Sequence, residues 1–207
     1  MSSPAAALLD VDGTLVDSND AHARAWVETL AEAGFDVPYA RVRRLIGKGG
    51  DKLVPEVTGL EDEERVKELG EARTRLFLTK QIHEVRAFPR VRALLERMRD
   101  AGLLLVVATS AKDDELDRLL EIADVADLLD EAATKDDAKA SKPDPDIVGA
   151  ALARAGIQPS DAIMLGDTPY DIEAARGAGV ATVALRSGGW DDRALADAIA
   201  VYADVSA

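Results

Sequence analysis

The chain has no cysteine, only two histidines, and aromatic side chains at just 4% of its 207 positions. Without cysteine there is no disulfide framework, no thiolate nucleophile and no cysteine-held zinc or iron–sulfur centre. His22 and His83 stand too far apart in sequence to suggest a zinc cluster. No apolar stretch approaches the roughly 20 residues of a membrane-spanning helix. The opening Met-Ser-Ser-Pro-Ala-Ala-Ala has neither the basic start nor the long apolar segment of a secretory leader. A cytoplasmic protein that does not bind membranes is the expectation. Basic residues are also in short supply, 25 against 39 acidic ones, for a formal net charge of −14. A surface of that sign repels nucleic acid and anionic lipid. It repels a phosphorylated ligand too, so any phosphate site must bring its own local cations. A monomer is the default assembly, with a dimer left open.

Hydrophobic residues make up 47% of the chain, enough for an ordinary buried core. Short apolar runs at Ala5–Leu9, Leu103–Ala108, Ala162–Leu165 and Ala181–Leu185 read as buried parallel strands, apolar on both faces. Between them lie amphipathic stretches with helix punctuation. One starts at Pro89 and stops at Gly102. A second has Asp144 as its N-cap, Pro145 in its first turn and Gly156 at its end. A third runs from Pro169 to Ala178 before Gly179. Strand, helix, glycine, strand, repeated, predicts a doubly wound α/β fold with a parallel sheet. Residues 18–85 break this alternation. Ala23, Trp26, Val27, Leu30 and Ala31, then Val66, Leu69, Leu76 and Phe77, recur at helical spacing with no strand-like run between them. The expected organisation is a core of residues 1–17 and 86–207 with a small helical insert at 18–85. The acidic runs Glu61–Glu64 and Asp113–Glu115 read as solvated helix starts, favourable to the helix dipole.

Ligands of open parallel sheets bind beyond the carboxyl ends of the strands. Asp10, Thr109 and Asp167 each follow an apolar run and are expected to converge at that edge. Asp10 and Asp12 flank the start of a turn at Gly13, and two carboxylates so close imply a cation or a shared proton. Magnesium, a hard ion with oxygen ligands, suits such a site, although a capping Asp-Gly turn is the alternative. Thr109 and Ser110 offer hydroxyls and free amides to phosphate oxygens, or else a helix cap. Lys142, just before a capped helix, is either a solvated lysine or the cation that the acidic chain otherwise lacks. Asp167 and Asp171, one helical turn apart, make a second acidic pair.

With these residues in view, the chain resembles the haloacid dehalogenase superfamily, in its phosphatase branch with a helical C1-type cap. DVDGTLVDS, VVATS, SKPDPD and GDTPYD stand in the family's order, and the likeness covers essentially the whole chain. The resemblance implies a Rossmann-like core and Mg2+-dependent hydrolysis of a small phosphorylated metabolite. It implies Asp10 as the nucleophile that becomes an aspartyl-phosphate and Asp12 as general acid and base. Thr109 and the Ser110 amide would bind the transferring phosphoryl and Lys142 would neutralise charge. Asp10, the Asp12 carbonyl and Asp167 would hold the metal, with Asp171 supporting it. Lys48, on a glycine-rich loop, is the candidate for substrate recognition, with Asn19 and His22 as further candidates.

A phosphomutase of the beta-phosphoglucomutase type is the alternative, since His22 and Trp26 resemble its cap entry. Gly50 stands where its arginine is expected, which argues against it. A 2-haloacid dehalogenase is disfavoured by Asp12, and a non-catalytic phosphate-binding module by the intact set of catalytic residues. His83 reads as structural near the return hinge, and Trp190 as packing at the rim of the site or on the core.

Overall fold

The computed structural model describes residues 4–207; Met1, Ser2 and Ser3, the head of the segment read for a leader, lie outside the described residues. In chain order the strands are β1 (Ala6–Leu9), β2 (Val16–Asp17), β3 (Arg86–Ala87), β4 (Leu104–Ala108), β5 (Glu131–Ala133), β6 (Ala162–Gly166), β7 (Ala181–Leu185) and β8 (Ala200–Tyr202). The helices are α1 (Asn19–Glu32), α2 (Tyr39–Arg43), α3 (Gly50–Thr58), α4 (Glu63–Leu76), α5 (Val91–Asp100), α6 (Asp113–Ala123), α7 (Asp146–Ala155) and α8 (Pro169–Gly177). All four apolar runs are strands of one six-stranded sheet, ordered β5-β4-β1-β6-β7-β8 and parallel throughout. Apolar clusters on its two faces explain why β1 is apolar at every position: Ala7 and Leu9 pack with Val91, Leu95 and Leu119, and Leu8 packs with Ile147, Val148 and Met164. From β1 the order runs outward to β4 and β5 on one side and to β6 and β7 on the other. That reversal opens a crevice beyond the carboxyl end of β1, where open α/β sheets take their ligands.

β2 and β3 pair antiparallel, Val16 opposite Ala87 and Asp17 opposite Arg86, where the chain leaves the sheet and returns. Between them α1–α4 enclose their own apolar cluster, including Trp26, Leu30, Val42, Leu53, Val54 and Leu69. Asp62 caps α4 by accepting from the amides of Glu64 and Arg65. The last turn of this helix widens into a π-helical segment, Phe77–Gln81. Phe77 and Ile82 pack with the sheet cluster, so the far end of the helical insert is anchored in the core.

Three sequence expectations need correction. The helix expected from Pro89 begins at Val91, after Arg90 in a left-handed conformation (φ 64°). Pro145, not Asp144, occupies the N-cap of α7; the Asp144 carboxylate instead pairs with Lys52 at 2.5 Å. Glu115 is not part of a solvated helix start, because it is wholly buried and paired with Arg73. Strand β5 escaped the sequence reading because it is three residues long and begins with Glu131, and β8 because the apolar run Ala198–Ala203 that holds it was passed over.

Gly149 lies exposed inside α7, and an added Cβ would meet nothing within 4 Å. Glycine in a helix interior loses more backbone entropy on folding than alanine. Gly149→Ala is therefore expected to stabilise the protein by about 0.5–1 kcal/mol, read as a raised denaturant midpoint. A lowered midpoint would show that the helix needs this glycine.

Candidate active site

Asp10 follows β1 and is still held by the sheet, its amide donating to the Leu165 carbonyl at 2.9 Å. The chain then turns sharply. Gly13 adopts φ +76°, and a Cβ there would lie 2.0 Å from Asp167 Oδ2, so only glycine lets the loop pass this close to β6's end. Thr14, just beyond, donates its hydroxyl towards Asp10 Oδ2 (3.2 Å) and Asp167 Oδ1 (3.4 Å). Lys142 is completely buried and its Nζ lies 2.6 Å from Asp10 Oδ1 and 2.7 Å from Asp171 Oδ1. Asp171 uses its other oxygen to accept from the Thr168 amide and hydroxyl, which closes a capping box at the start of α8. Asn19, at the start of α1, donates its amide to Asp167 Oδ2 at 2.8 Å. Three distant stretches of sequence thus meet at one buried point.

Asp12 faces a different set of partners, so the two carboxylates of the first motif need no shared proton. Its Oδ1 accepts from Ser18 Oγ at 2.5 Å and lies 2.7 Å from His22 Nε2. His22 stacks on Phe77 with ring centroids 3.9 Å apart, and its Nδ1 lies 3.2 Å from Arg73 Nη1. A guanidinium only donates, so Arg73 makes Nδ1 an acceptor and leaves the Nε2–H to Asp12. Arg73 is held in turn by Glu115 Oε1 at 2.7 Å. Cap helix α4 is therefore wired through His22 to Asp12.

Thr109 is buried at the end of β4, and its Oγ1 accepts from the Ala111 amide at 3.1 Å, leaving its own hydrogen free to donate. The Ser110 hydroxyl is buried without a hydrogen-bond partner. Lys48 lines the same small cavity as Asp10, Asp12, His22 and Thr109; its Nζ pairs with Glu56 at 2.5 Å and sits 4.9 Å from the Tyr170 ring centroid. At Gly50 an added Cβ would come within 3.0 Å of the Trp26 ring, so a side chain there has no room. His83 is exposed in a short turn, away from these contacts. Trp190 contacts Tyr170 edge-on at 5.9 Å and lies under the Arg44 guanidinium at 5.2 Å, which places it between core and cap.

Burial pushes the Asp10 carboxyl up to about 7; Lys142 opposes this, while Asp171 and Asp12 add to it. Burial also raises Asp167 well above the ordinary range, with Asp10 and Asp171 contributing. For Asp12 burial is outweighed by His22 and Ser18, which hold its carboxyl below the usual value. Asp10 and Asp167 thus carry more negative charge than their surroundings can bear, whereas Asp12 is an accommodated anion.

The profile of the haloacid dehalogenase-like hydrolases matches residues 7–185. The chain belongs to this family. Within these hydrolases it is 32% identical over 180 residues to phosphoglycolate phosphatase of Nitrosospira multiformis, covering 84% of this chain and 79% of that one. It is 29% identical over 177 residues to pyrophosphatase PpaX of Bacillus velezensis, covering 86% and 81%. The structure of a hydrolase from Pseudomonas syringae superposes with a TM-score of 0.90 at 29% identity, covering 97% of this chain and 94% of its own. This member of the hydrolase family is a phosphatase.

Family membership implies a magnesium ion, and the donor set of this hydrolase fits one. Asp10, Asp167 and Asp171 each present a carboxylate oxygen, all within 4.8 Å of one another and all buried. Three carboxylates face one ammonium, so a hard divalent cation offsets the excess charge. All six oxygens already accept a contact, but the longest are those from Thr14 to Asp10 Oδ2 (3.2 Å) and Asp167 Oδ1 (3.4 Å), so these two oxygens are the freer ligands. The sequence reading missed Thr14, Ser18, Arg73 and Glu115 as site residues. Thr14 and Ser18 lie inside DVDGTLVDS itself; Arg73 and Glu115 carry no local signal, since only the docking of α4 against α6 brings them together.

Stability should report the ion. A carboxyl raised from 3.8 to about 7 gives its stabilising contribution below the lower value and loses it as pH climbs through the upper one. Without metal, the hydrolase is expected to lose stability between about pH 4 and pH 7. The rise in melting temperature caused by magnesium should then be larger at pH 8 than at pH 5, measured by thermal melts with magnesium or EDTA. An equal shift at both values would place the ion elsewhere.

Proposed function

We propose that this enzyme is a magnesium-dependent phosphatase that hydrolyses a small phosphate monoester through a phosphoryl group carried on Asp10. The observation that carries this reading is the contrast between two carboxylates separated by a single residue. Asp10 is buried against Lys142 in the over-negative cluster, whereas Asp12 is oriented by His22 and Ser18. The first arrangement suits a nucleophile and the second a proton carrier.

In the first step an Asp10 oxygen attacks phosphorus while the ester P–O bond breaks. Asp12, which takes up a proton from solvent as the phosphate enters, gives that proton to the departing oxygen. The approach of a phosphate dianion raises the affinity of Asp12 for that proton by like-charge repulsion. In the second step water attacks the phosphorus of the aspartyl-phosphate, Asp12 takes the water's proton, and inorganic phosphate leaves with Asp10 restored. Thr109 and the amide of Ser110 hold the phosphoryl oxygens, and Lys142 offsets charge between Asp10 and phosphate. Asp10, Asp167 and the Asp12 carbonyl would hold magnesium, with Asp171 in support, and the ion supplies Lewis-acid charge neutralisation when bound. Residues 18–85 act in this reading as a cap domain over the core of 1–17 and 86–207, and the enzyme works as a cytoplasmic monomer.

The test is hydrolysis of p-nitrophenyl phosphate in magnesium and in EDTA. Turnover that requires magnesium supports the reading, and equal turnover in EDTA removes the metal from it.

A further inference from the structure

Each carboxylate of the acidic cluster has one oxygen held by a close donor. Asp10 Oδ1 accepts from Lys142 Nζ at 2.6 Å, Asp171 Oδ2 from the Thr168 hydroxyl at 2.6 Å, and Asp167 Oδ2 from Asn19 Nδ2 at 2.8 Å. The first two donors have a second task, since Lys142 also meets Asp171 and Thr168 caps α8. Asn19 has none. It is the first residue of α1, but Ser18 occupies the N-cap and no side chain caps that helix. Among the described residues its side chain makes one hydrogen bond, the one to Asp167. The residue is only 2% exposed, and its own Oδ1 is buried without a partner. A buried polar oxygen without a donor is costly, so an asparagine here calls for a reason. The amide cannot turn round to answer it, because Oδ1 would then face the carboxylate, acceptor against acceptor.

The space around Asp167 Oδ2 is shaped to the same end. A Cβ at Gly13 would lie 2.0 Å from this oxygen and one at Gly188 would lie 2.5 Å from it, so two backbone segments close on it without side chains. Ser187 fastens those segments together, its Oγ donating to the Gly13 carbonyl at 2.6 Å. Asp167 Oδ2 is thereby walled in, with the Asn19 amide as its donor. Asp167 Oδ1, whose contact with Thr14 is a long 3.4 Å, is the oxygen left for an ion.

We propose that Asn19 makes the site select magnesium over calcium by keeping Asp167 a one-oxygen ligand. Magnesium takes single oxygens at the corners of an octahedron, and the two oxygens of one carboxylate lie too close together to fill two corners. Calcium is larger, takes about six to eight oxygens and readily accepts both from one carboxylate. With Oδ2 held by Asn19, that second oxygen is withheld from calcium, while magnesium loses nothing. The proposal rests on the magnesium site of the reading above. It makes Asn19, a candidate for substrate contact on sequence grounds, a positioning residue that acts through Asp167.

The test is isothermal titration calorimetry of the full chain, stripped of metal with EDTA and dialysed, with magnesium chloride and calcium chloride in separate titrations. Heat that persists in Asp167→Asn is surface binding and is subtracted. In Asn19→Ala the ratio of the calcium Kd to the magnesium Kd should fall by about tenfold or more, the scale on which groups behind a metal ligand act. Magnesium binds more weakly as Asp167 loses its orientation, and calcium gains Oδ2. Asn19→Thr, closer to asparagine in volume but without the amide, should move the ratio the same way and serves if the alanine variant does not fold. Loosened packing would weaken both ions alike, so a ratio that stays put in the folded variants, or moves towards magnesium, overturns the proposal. If wild type binds magnesium and the ratio does not move, only the role of Asn19 falls. If wild type binds no magnesium, the metal site of the phosphatase reading falls with it.

Discussion

Asp10→Asn is expected to lower kcat for p-nitrophenyl phosphate by about 10⁴-fold or more, the scale on which removing a covalent nucleophile acts. The substitution keeps the shape of the side chain but replaces an oxygen that can attack phosphorus with an amide. The loss should be chemical rather than structural, since Asp10 is held by its backbone in the sheet and its neighbours stay in place. A second readout separates the nucleophile from a mere metal ligand. Acid quenching of the working wild-type enzyme with labelled ester should trap a phosphoryl group on protein, and Asp10→Asn should trap none. Turnover retained within tenfold by the variant, or label trapped on it, would assign the nucleophile to another residue.

Lys142→Met should be the most damaging substitution to the fold. Lys142 is wholly buried, and its ammonium lies between the carboxylates of Asp10 and Asp171. Removing one partner of a buried ion pair leaves its counterpart desolvated and unpaired, at a cost of about 3–5 kcal/mol. Here two carboxylates are stranded, beside Asp167, which burial already disfavours as an anion. Chemical denaturation without magnesium should show that loss, and it should be smaller in saturating magnesium, which offsets the same charge. Loss of Lys142's pull should raise the Asp10 carboxyl further, so the acidic limb of the rate profile should move to higher pH. A variant within about 1 kcal/mol of wild type would mean the pair contributes little beyond the cost of burying it.

Much of this was legible in the residues themselves. A run such as Ala6–Leu9 is apolar at every position, and that composition survives only in a strand covered on both sides. Proline before a helix and glycine after it marked the elements to within about two residues. The carboxylates of the site were legible because parallel strands all end at one edge, so chain position alone predicts that Asp10, Thr109 and Asp167 meet. The short strand β5 was not legible, because three residues of mixed character carry no periodicity and are recruited by their neighbours' unpaired backbone groups.

The partners of the site belong to the other category. That His22 orients Asp12, that Arg73 and Glu115 stand behind it, and that Asn19 serves Asp167 follow from how helices α1, α4 and α6 dock. Docking depends on side-chain packing between segments far apart in sequence, and no local pattern encodes it. The sequence by itself determined the parallel sheet and the gathering of Asp10 and Asp167 at one edge of it, because strand composition and motif spacing are local properties. Only the tertiary structure decided which side chain orients which carboxylate, because those orientations are contacts between elements.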